Sequence, residues 1–281
     1  MTAVTLVDIG ANLAHDNFDA DREVVLERAS AAGVAAIIVT GSSLNDTEKA
    51  IALARRHPHV LRATAGVHPH HAAGLLDSDS GRLEVLLADP LVVAAGECGL
   101  DYFRNFSPPA EQRRAFELQL RVADAAGKPL FLHQRDAHSD FIAMLRAHPH
   151  LAARGVLHCF TGGVAELEDC LALGLSVGIT GWICDERRGQ ALREAAPRVP
   201  LEQVMIETDA PYLLPRTLRP KPTHRRNEPA FLPAVLAEAA RCRGETPEAL
   251  AIATTANACR FFGLTLAHES DAEQDTPWRL V

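Results

Sequence analysis

Eight short apolar runs alternate along the chain with longer segments of helical period, and this pattern constrains the fold more than any other feature of the sequence. The runs fall at residues 6–9, 36–40, 62–67, 92–96, 129–133, 155–158, 175–179 and 204–207. Continuous apolar runs of this length suit strands buried on both faces, as in parallel sheets, where each strand needs a crossover of a dozen or more residues to reach the next. Amphipathic segments at 19–32, 46–57, 109–126, 137–148, 165–173 and 186–196 supply such crossovers, and Gly33, Gly127 and Gly174 stand where three helices should stop. Eight strands with helical connections favour a closed TIM-like (β/α)8 barrel of the α/β class over an open doubly wound sheet. Neither the dinucleotide-binding glycine fingerprint nor a P-loop follows any strand, so those chemistries have no support. A Pro-broken basic stretch, Arg216 to Arg226, then precedes helical segments at 229–241 and 246–262 that should cover the barrel. Residues 1–265 read as one barrel domain. Residues 266–281 are an acidic, polar tail with little to bury, expected to be poorly ordered from His268 onward.

With 281 residues, 47% of them hydrophobic and 23% charged, the chain can bury the core that a barrel needs. The opening MTAVTLVDIG lacks the basic start and apolar stretch of a secretory signal, and no run reaches spanning length. A cytoplasmic monomer without membrane contact is the expectation. The six cysteines form no CxxC pair, which excludes zinc-finger spacing and makes disulfides unexpected. A net charge of −8 argues against binding nucleic acid through the overall field. Bound divalent cations or a local basic face can still reverse the potential inside one cleft.

In a parallel barrel the strand ends at one rim build the active site. Here four runs end in metal-type side chains: Glu97 after residues 92–96, His133 after Leu130-Phe131-Leu132, His158 after Val156-Leu157, and Asp209 just beyond Val204-Met205-Ile206. Two imidazoles and two carboxylates suit Zn²⁺, Mn²⁺ or Co²⁺, and Mg²⁺ where carboxylate, water and phosphate dominate the shell. Asp209 and Glu97 are the candidate catalytic carboxylates, Asp209 doubling as a base toward water. His68 and Arg135 lie at the same expected rim and are candidates for phosphate binding. Glu207, Asp101 and Asn12 are candidates for orienting the ligands from behind, Asp101 equally as a turn residue. His70 and His71 read as solvated loop. Trp182, Tyr102, Phe103, Phe106 and Tyr212 follow strand-end motifs, where rings either stack on unpaired bases or pack under loops.

The motifs GECGLD (Gly96 to Asp101), LHCFTG (Leu157 to Gly162), GITGW (Gly178 to Trp182) and ETDAPYL (Glu207 to Leu213), with AGVHPH and RRNEP, resemble the TatD family of metal-dependent nucleases in family order from Val7 to Gly263. By that resemblance Glu97, His133, His158 and Asp209 fall on metal-binding positions. It implies hydrolysis of DNA, typically with Mg²⁺, by 3′-to-5′ exonuclease action on single strands, RNA being a further substrate. Many relatives open with DxHxH, whereas Gly10 and Asn12 stand at those histidine positions here. One tight metal, with a second arriving alongside substrate, is the expectation. Competing readings keep the same barrel: a hydrolase of amides, lactones or small phosphoesters, or a metal-stabilised protein that binds DNA ends without cutting them.

Overall fold

In the computed structural model, which describes residues 4–266, the eight strands are parallel and neighbour one another in chain order. They are β1 Leu6–Ala11, β2 Val34–Val39, β3 Leu61–Ala65, β4 Val92–Asp101, β5 Leu130–Arg135, β6 Gly155–Leu157, β7 Ser176–Ile179 and β8 Val204–Ile206. A bridge between Ala11 and Ala210 brings the ends of the sheet together, reinforced by Asp209 N donating to Gly10 O at 2.8 Å and Asn12 N to Ala210 O at 2.6 Å. The result is a nearly closed barrel. The tail expected to lack order lies, beyond Leu266, outside the described residues.

The helices are α1 Arg22–Ala31, α2 Leu44–Arg56, α3 Ser80–Leu87, α4 Pro109–Ala126, α5 His138–Arg146, α6 Pro149–Ala152, α7 Val164–Ala172, α8 Gln190–Ala195, α9 Leu232–Arg243 and α10 Pro247–Phe262. Local chemistry sets several of their ends. Ser43 caps α2 by accepting from Asp46 N at 3.1 Å, and Thr246 caps α10 by accepting from Ala249 N at 3.1 Å, each satisfying an amide that the first turn leaves without a partner. Gly127, at φ 65°, stops α4 in the left-handed conformation that a side chain would resist.

Side-chain alternation divides the core into two parts. Val7, Ile9, Ala36, Ile38, Ala94, Phe131, Val156 and Met205 form a small inner cluster that α10 joins through Ala258 and Phe262. The intervening residues, such as Leu6, Ile37, Val39, Leu130, Leu132, Leu157 and Ile206, belong to the larger layer beneath the helices. Because a strand returns to the same face every second residue, the inner positions Phe131, Val156 and Met205 aim His133 and Arg135, His158, and Glu207 and Asp209 toward the barrel mouth. The described helices include none long and apolar enough to cross a membrane.

One strand departs from the expected boundary. The fourth run was expected to end at Gly96, yet β4 continues to Asp101, with a register break against β5 between Ala95 and Cys98. Strict alternation from Ala94 would turn Glu97 toward the helices. The break reverses that parity, so Glu97 meets the histidines while Cys98 and Leu100 join the outer layer. Gly96 and Gly99, at φ 143° and 145°, make this possible, because a Cβ at either position would run into the backbone carbonyl of Phe131 or His133.

Candidate metal centre and substrate cleft

The site is organised around one carboxylate oxygen. Glu97 Oε1 lies 2.9 Å from His133 Nδ1, 3.0 Å from His158 Nε2 and 3.3 Å from His68 Nε2. Three imidazoles from three different strand ends therefore converge on an acid that is 5% exposed. Burial works to raise the Glu97 pKa, but the adjoining His68 and His158 and the hydrogen bonds from His133 and His158 hold it well below the usual range. Burial likewise works against the charged form of His158, yet Glu207 and Glu97 overcome it and raise the pKa well above the ordinary value. His133 is raised in the same way, burial being outweighed by Asp101 and Glu97. At His68 burial dominates and the pKa falls well below normal.

Behind this group stands a second tier. Glu207, fully buried, places Oε2 3.0 Å from His158 Nδ1 and accepts from Cys159 N through Oε1 at 2.6 Å. Asp101 Oδ2 lies 2.9 Å from His70 Nε2 and 3.6 Å from His133 Nε2, while Oδ1 accepts from Arg104 N at 2.8 Å. Asp101 is thus both a partner of the histidines and the cap of the turn that follows. Burial is again outweighed by His133 and His70, which hold the Asp101 pKa far below normal. Asn12 donates from Nδ2 to Asp209 Oδ1 at 3.1 Å. Asp209 has a left-handed φ of 53°, and burial, followed by the charges of Glu97 and Glu207, pushes its carboxyl up to about 7 despite the nearby His158.

These residues line a cleft of about 730 Å³. It holds all four residues expected to bind metal, Glu97, His133, His158 and Asp209, together with His68, Arg135, Asp101 and Asn12. Glu207 lies beneath the cleft wall. Among the described residues, His68, Glu97 and His133 offer ligand-type atoms that all lie within 4.8 Å of one another, so His68, expected to contact phosphate, is also placed to offer a donor to a cation. The donor chemistry fits a divalent cation, with His133 Nδ1 and His158 Nε2 both turned toward Glu97 and His133 Nε2 toward Asp101.

His70 is a correction to the sequence reading. Rather than facing solvent, its ring lies against Asp101 and 4.2 Å from the His68 ring, because the turn from β3 folds back over β4. His71 is exposed, as expected. Asp8, which opens the family-like DIGANL stretch, was assigned no role. It is fully buried, accepts from Thr208 Oγ1 at 2.5 Å and Thr208 N at 2.9 Å, and so fixes the turn that presents Asp209. A charged residue inside an otherwise apolar run was the signal. Among the aromatics, Tyr102 turns away and donates to Asp140 Oδ2 at 2.7 Å, whereas Phe103, Phe106 and Tyr212 are each more than half exposed. Trp182 lines the cleft wall.

The Gly10 position explains the missing histidine. A Cβ there would collide with Glu207 Oε2, and one at Gly178 with Glu207 Oε1. The buried carboxylate occupies the room that a larger residue on β1 would take.

Comparison with known proteins agrees with this picture. The TatD related DNase family matches residues 7–263. The chain is 50% identical over 259 residues to a 3′-5′ ssDNA/RNA exonuclease TatD of Erwinia amylovora, covering 92% of this chain and 100% of that protein. It is 51% identical to the Citrobacter rodentium protein of the same name, covering 93% and 99%. Among solved structures, the TatD homologue YjjV of Escherichia coli superposes with a TM-score of 0.86 at 28% identity, covering 94% of this chain and 100% of that one. A TatD family hydrolase of Entamoeba histolytica gives 0.81 at 27%, covering 93% and 99%. A family match over nearly the whole barrel, with half-identity to proteins it covers end to end, establishes that this chain belongs to the TatD related DNase family.

Proposed function

We propose that the protein is a metal-dependent phosphodiesterase that removes nucleotides from the 3′ end of single-stranded DNA, and of RNA, as a cytoplasmic monomer. The observation that carries the reading is the convergence of three imidazole nitrogens within 3.3 Å of one Glu97 oxygen at the open mouth of the barrel. Glu97, His133, His158 and Asp209 would hold the cation, with His68 beside them. Mg²⁺ is the first choice, and the imidazoles also suit Mn²⁺ or Zn²⁺. When bound, a divalent cation supplies Lewis acidity that lowers the pKa of water and offsets charge on phosphate oxygens.

The chain's own residues do the rest. Glu207 fixes the tautomer and aim of His158 through Nδ1, leaving Nε2 for the site. Asn12 orients the Asp209 carboxylate, whose free lone pairs accept a proton from the attacking water. Arg135 provides positive charge for the phosphate, and its guanidinium has no carboxylate within ion-pair distance among the described residues. The space at Gly10, filled by Glu207, disfavours the amidohydrolase alternative, which calls for HxH on β1. Six unpaired cysteines accord with a reducing compartment, and among the described residues the exposed large hydrophobics other than Phe103 and Phe106, which share the loop after β4, lie on separate elements, as on a monomer.

The test uses metal-stripped protein with end-labelled single- and double-stranded oligonucleotides under Mg²⁺, Mn²⁺ and Zn²⁺ in turn, with Glu97→Ala as control. Stepwise shortening from the 3′ end of single strands, absent in the control, is expected. Inert oligonucleotides alongside turnover of a lactone or amide would overturn the reading.

A further inference from the structure

The mouth of the barrel is electrically lopsided. On the side built by the loops after β1 and β2, Asp16 and Asp46 line the cleft, and Lys49 is drawn to Asp46 at 3.6 Å. On the opposite side, arginines and aromatic rings alternate without a break. The Arg104 guanidinium lies 5.7 Å and that of Arg135 3.9 Å from the centre of the Phe103 ring. Arg135 is also 5.8 Å from the centre of the Trp182 ring, and Arg188 is 4.3 Å from it.

The series continues into a smaller side pocket of about 180 Å³ that shares Trp182, Arg188 and Leu213 with the main cleft and adds Arg216. Asp185, 2% exposed, holds its far end in place. It accepts from Arg188 Nε at 2.8 Å and from the amides of Arg187 and Arg188, and it lies 3.6 Å from Arg216 Nη1. Asp185 thus pins Arg188 and, together with Glu186 at 3.0 Å, holds Arg216, and the two arginine side chains remain 57% and 44% exposed. Arg104, Arg135 and Arg188 rest on rings, and Arg216, held between Asp185 and Glu186, extends their line, giving an electrostatic track with stacking platforms, as suits a flexible polyanion.

We propose that this track, from Phe103 and Arg135 through Trp182 to the side pocket at Arg188 and Arg216, carries the phosphate backbone of the strand upstream of the scissile bond, while the acidic side takes only the terminal nucleoside. The inference rests on the nuclease reading above. It assigns strand binding to Arg135 at the end of β5 and to residues from the loops after β4, β7 and β8, and none of the loop residues touches the metal cluster. The arrangement selects single strands, because rings stack only on bases that are unpaired.

The test is fluorescence anisotropy with labelled oligo(dT) of three, six and nine nucleotides, in EDTA to stop hydrolysis. Wild-type affinity should rise with length. In the double variant Arg188→Ala, Arg216→Ala the nine-nucleotide strand should bind about tenfold more weakly, and the slope of log affinity against log salt should become shallower by about 1.4, the value for two phosphate contacts on a single strand. The three-nucleotide strand should lose much less. Lys49→Ala, on the acidic side, should leave the nine-nucleotide affinity within about twofold. A double variant with the wild-type length dependence and salt slope, or a Lys49→Ala loss as large as that of the arginine pair, would overturn the track. Cleavage of the same strands by the wild type under Mg²⁺ reports separately on the nuclease reading.

Discussion

Glu207 shows how much one buried charge can be asked to do. It is fully enclosed, holds the back of His158, accepts the Cys159 amide and fills the space over two glycines. Glu207→Gln retains the shape but loses the charge that polarises His158, so metal affinity should fall by about 10- to 100-fold, as measured by calorimetry on stripped protein. An unchanged affinity would remove Glu207 from that role. Asp209→Asn keeps the Asn12 contact but removes the proton acceptor, and turnover should drop by at least about 100-fold with the circular dichroism unaltered. Asp8 offers a pH test. Burial lifts its carboxyl from the ordinary 3.8 to about 7 against the pull of Thr208, so the folded state holds a proton that the unfolded chain releases. The associated stability is therefore full at about pH 4 and declines as pH rises to about 7, by up to about 4 kcal/mol for a shift of this size. Denaturation in EDTA at pH 5 and pH 8 should show a smaller decline in Asp8→Asn than in the wild type. Equal declines would place the titration elsewhere.

At the scale of elements, the site depends on strands that are short or broken. β6 and β8 each span three residues, so His158 and Asp209 stand in the loops that begin at once beyond them, while β4 delivers Glu97 only through its register break. Gly10→Ala on β1 or Gly178→Ala on β7 would force the Glu207 carboxylate aside, since either Cβ would overlap it. Each change should destabilise the fold by about 1 to 3 kcal/mol and weaken metal binding together. A variant that lost stability while binding metal normally would show that the cluster tolerates a displaced Glu207.

The same elements explain what the sequence could reveal. All eight strands and the principal crossovers were legible because burial on both faces leaves an unmixed apolar run, and the inward residues followed from alternation along β5, β6 and β8. Alternation misleads at β4, where parity flips without any mark but Gly96 and Gly99. His70 was misread because its partner Asp101 is 31 residues away and only folding brings the two together. The short helix α3 was overlooked although Leu83, Leu86 and Leu87 carry a helical spacing, whereas the meeting of Arg216 with Asp185 was invisible because it is a contact between separate loops. The basic stretch after β8 divides between two tasks. Arg226 pairs with Asp21 at 2.7 Å beside α1, and Arg216 reaches the side pocket.

For the whole molecule, the expected metal stoichiometry follows from how the barrel mouth is filled. His68, His133 and His158 converge on the one Glu97 oxygen, and β1 contributes no imidazole. Titration without nucleic acid should show one tight site, and the bound cation should raise the melting temperature, more so at higher concentration. Two equally tight sites would contradict this. The join between the first and last strands carries a further consequence. Asp209 is held in place from Gly10 and Asn12, some 200 residues earlier in the chain, so the carboxylate is in position only after β8 has docked against β1. Neither end of the barrel builds the centre alone: without β8 there is no Asp209, and without β1 its carboxylate lacks both the Gly10 anchor and the Asn12 amide.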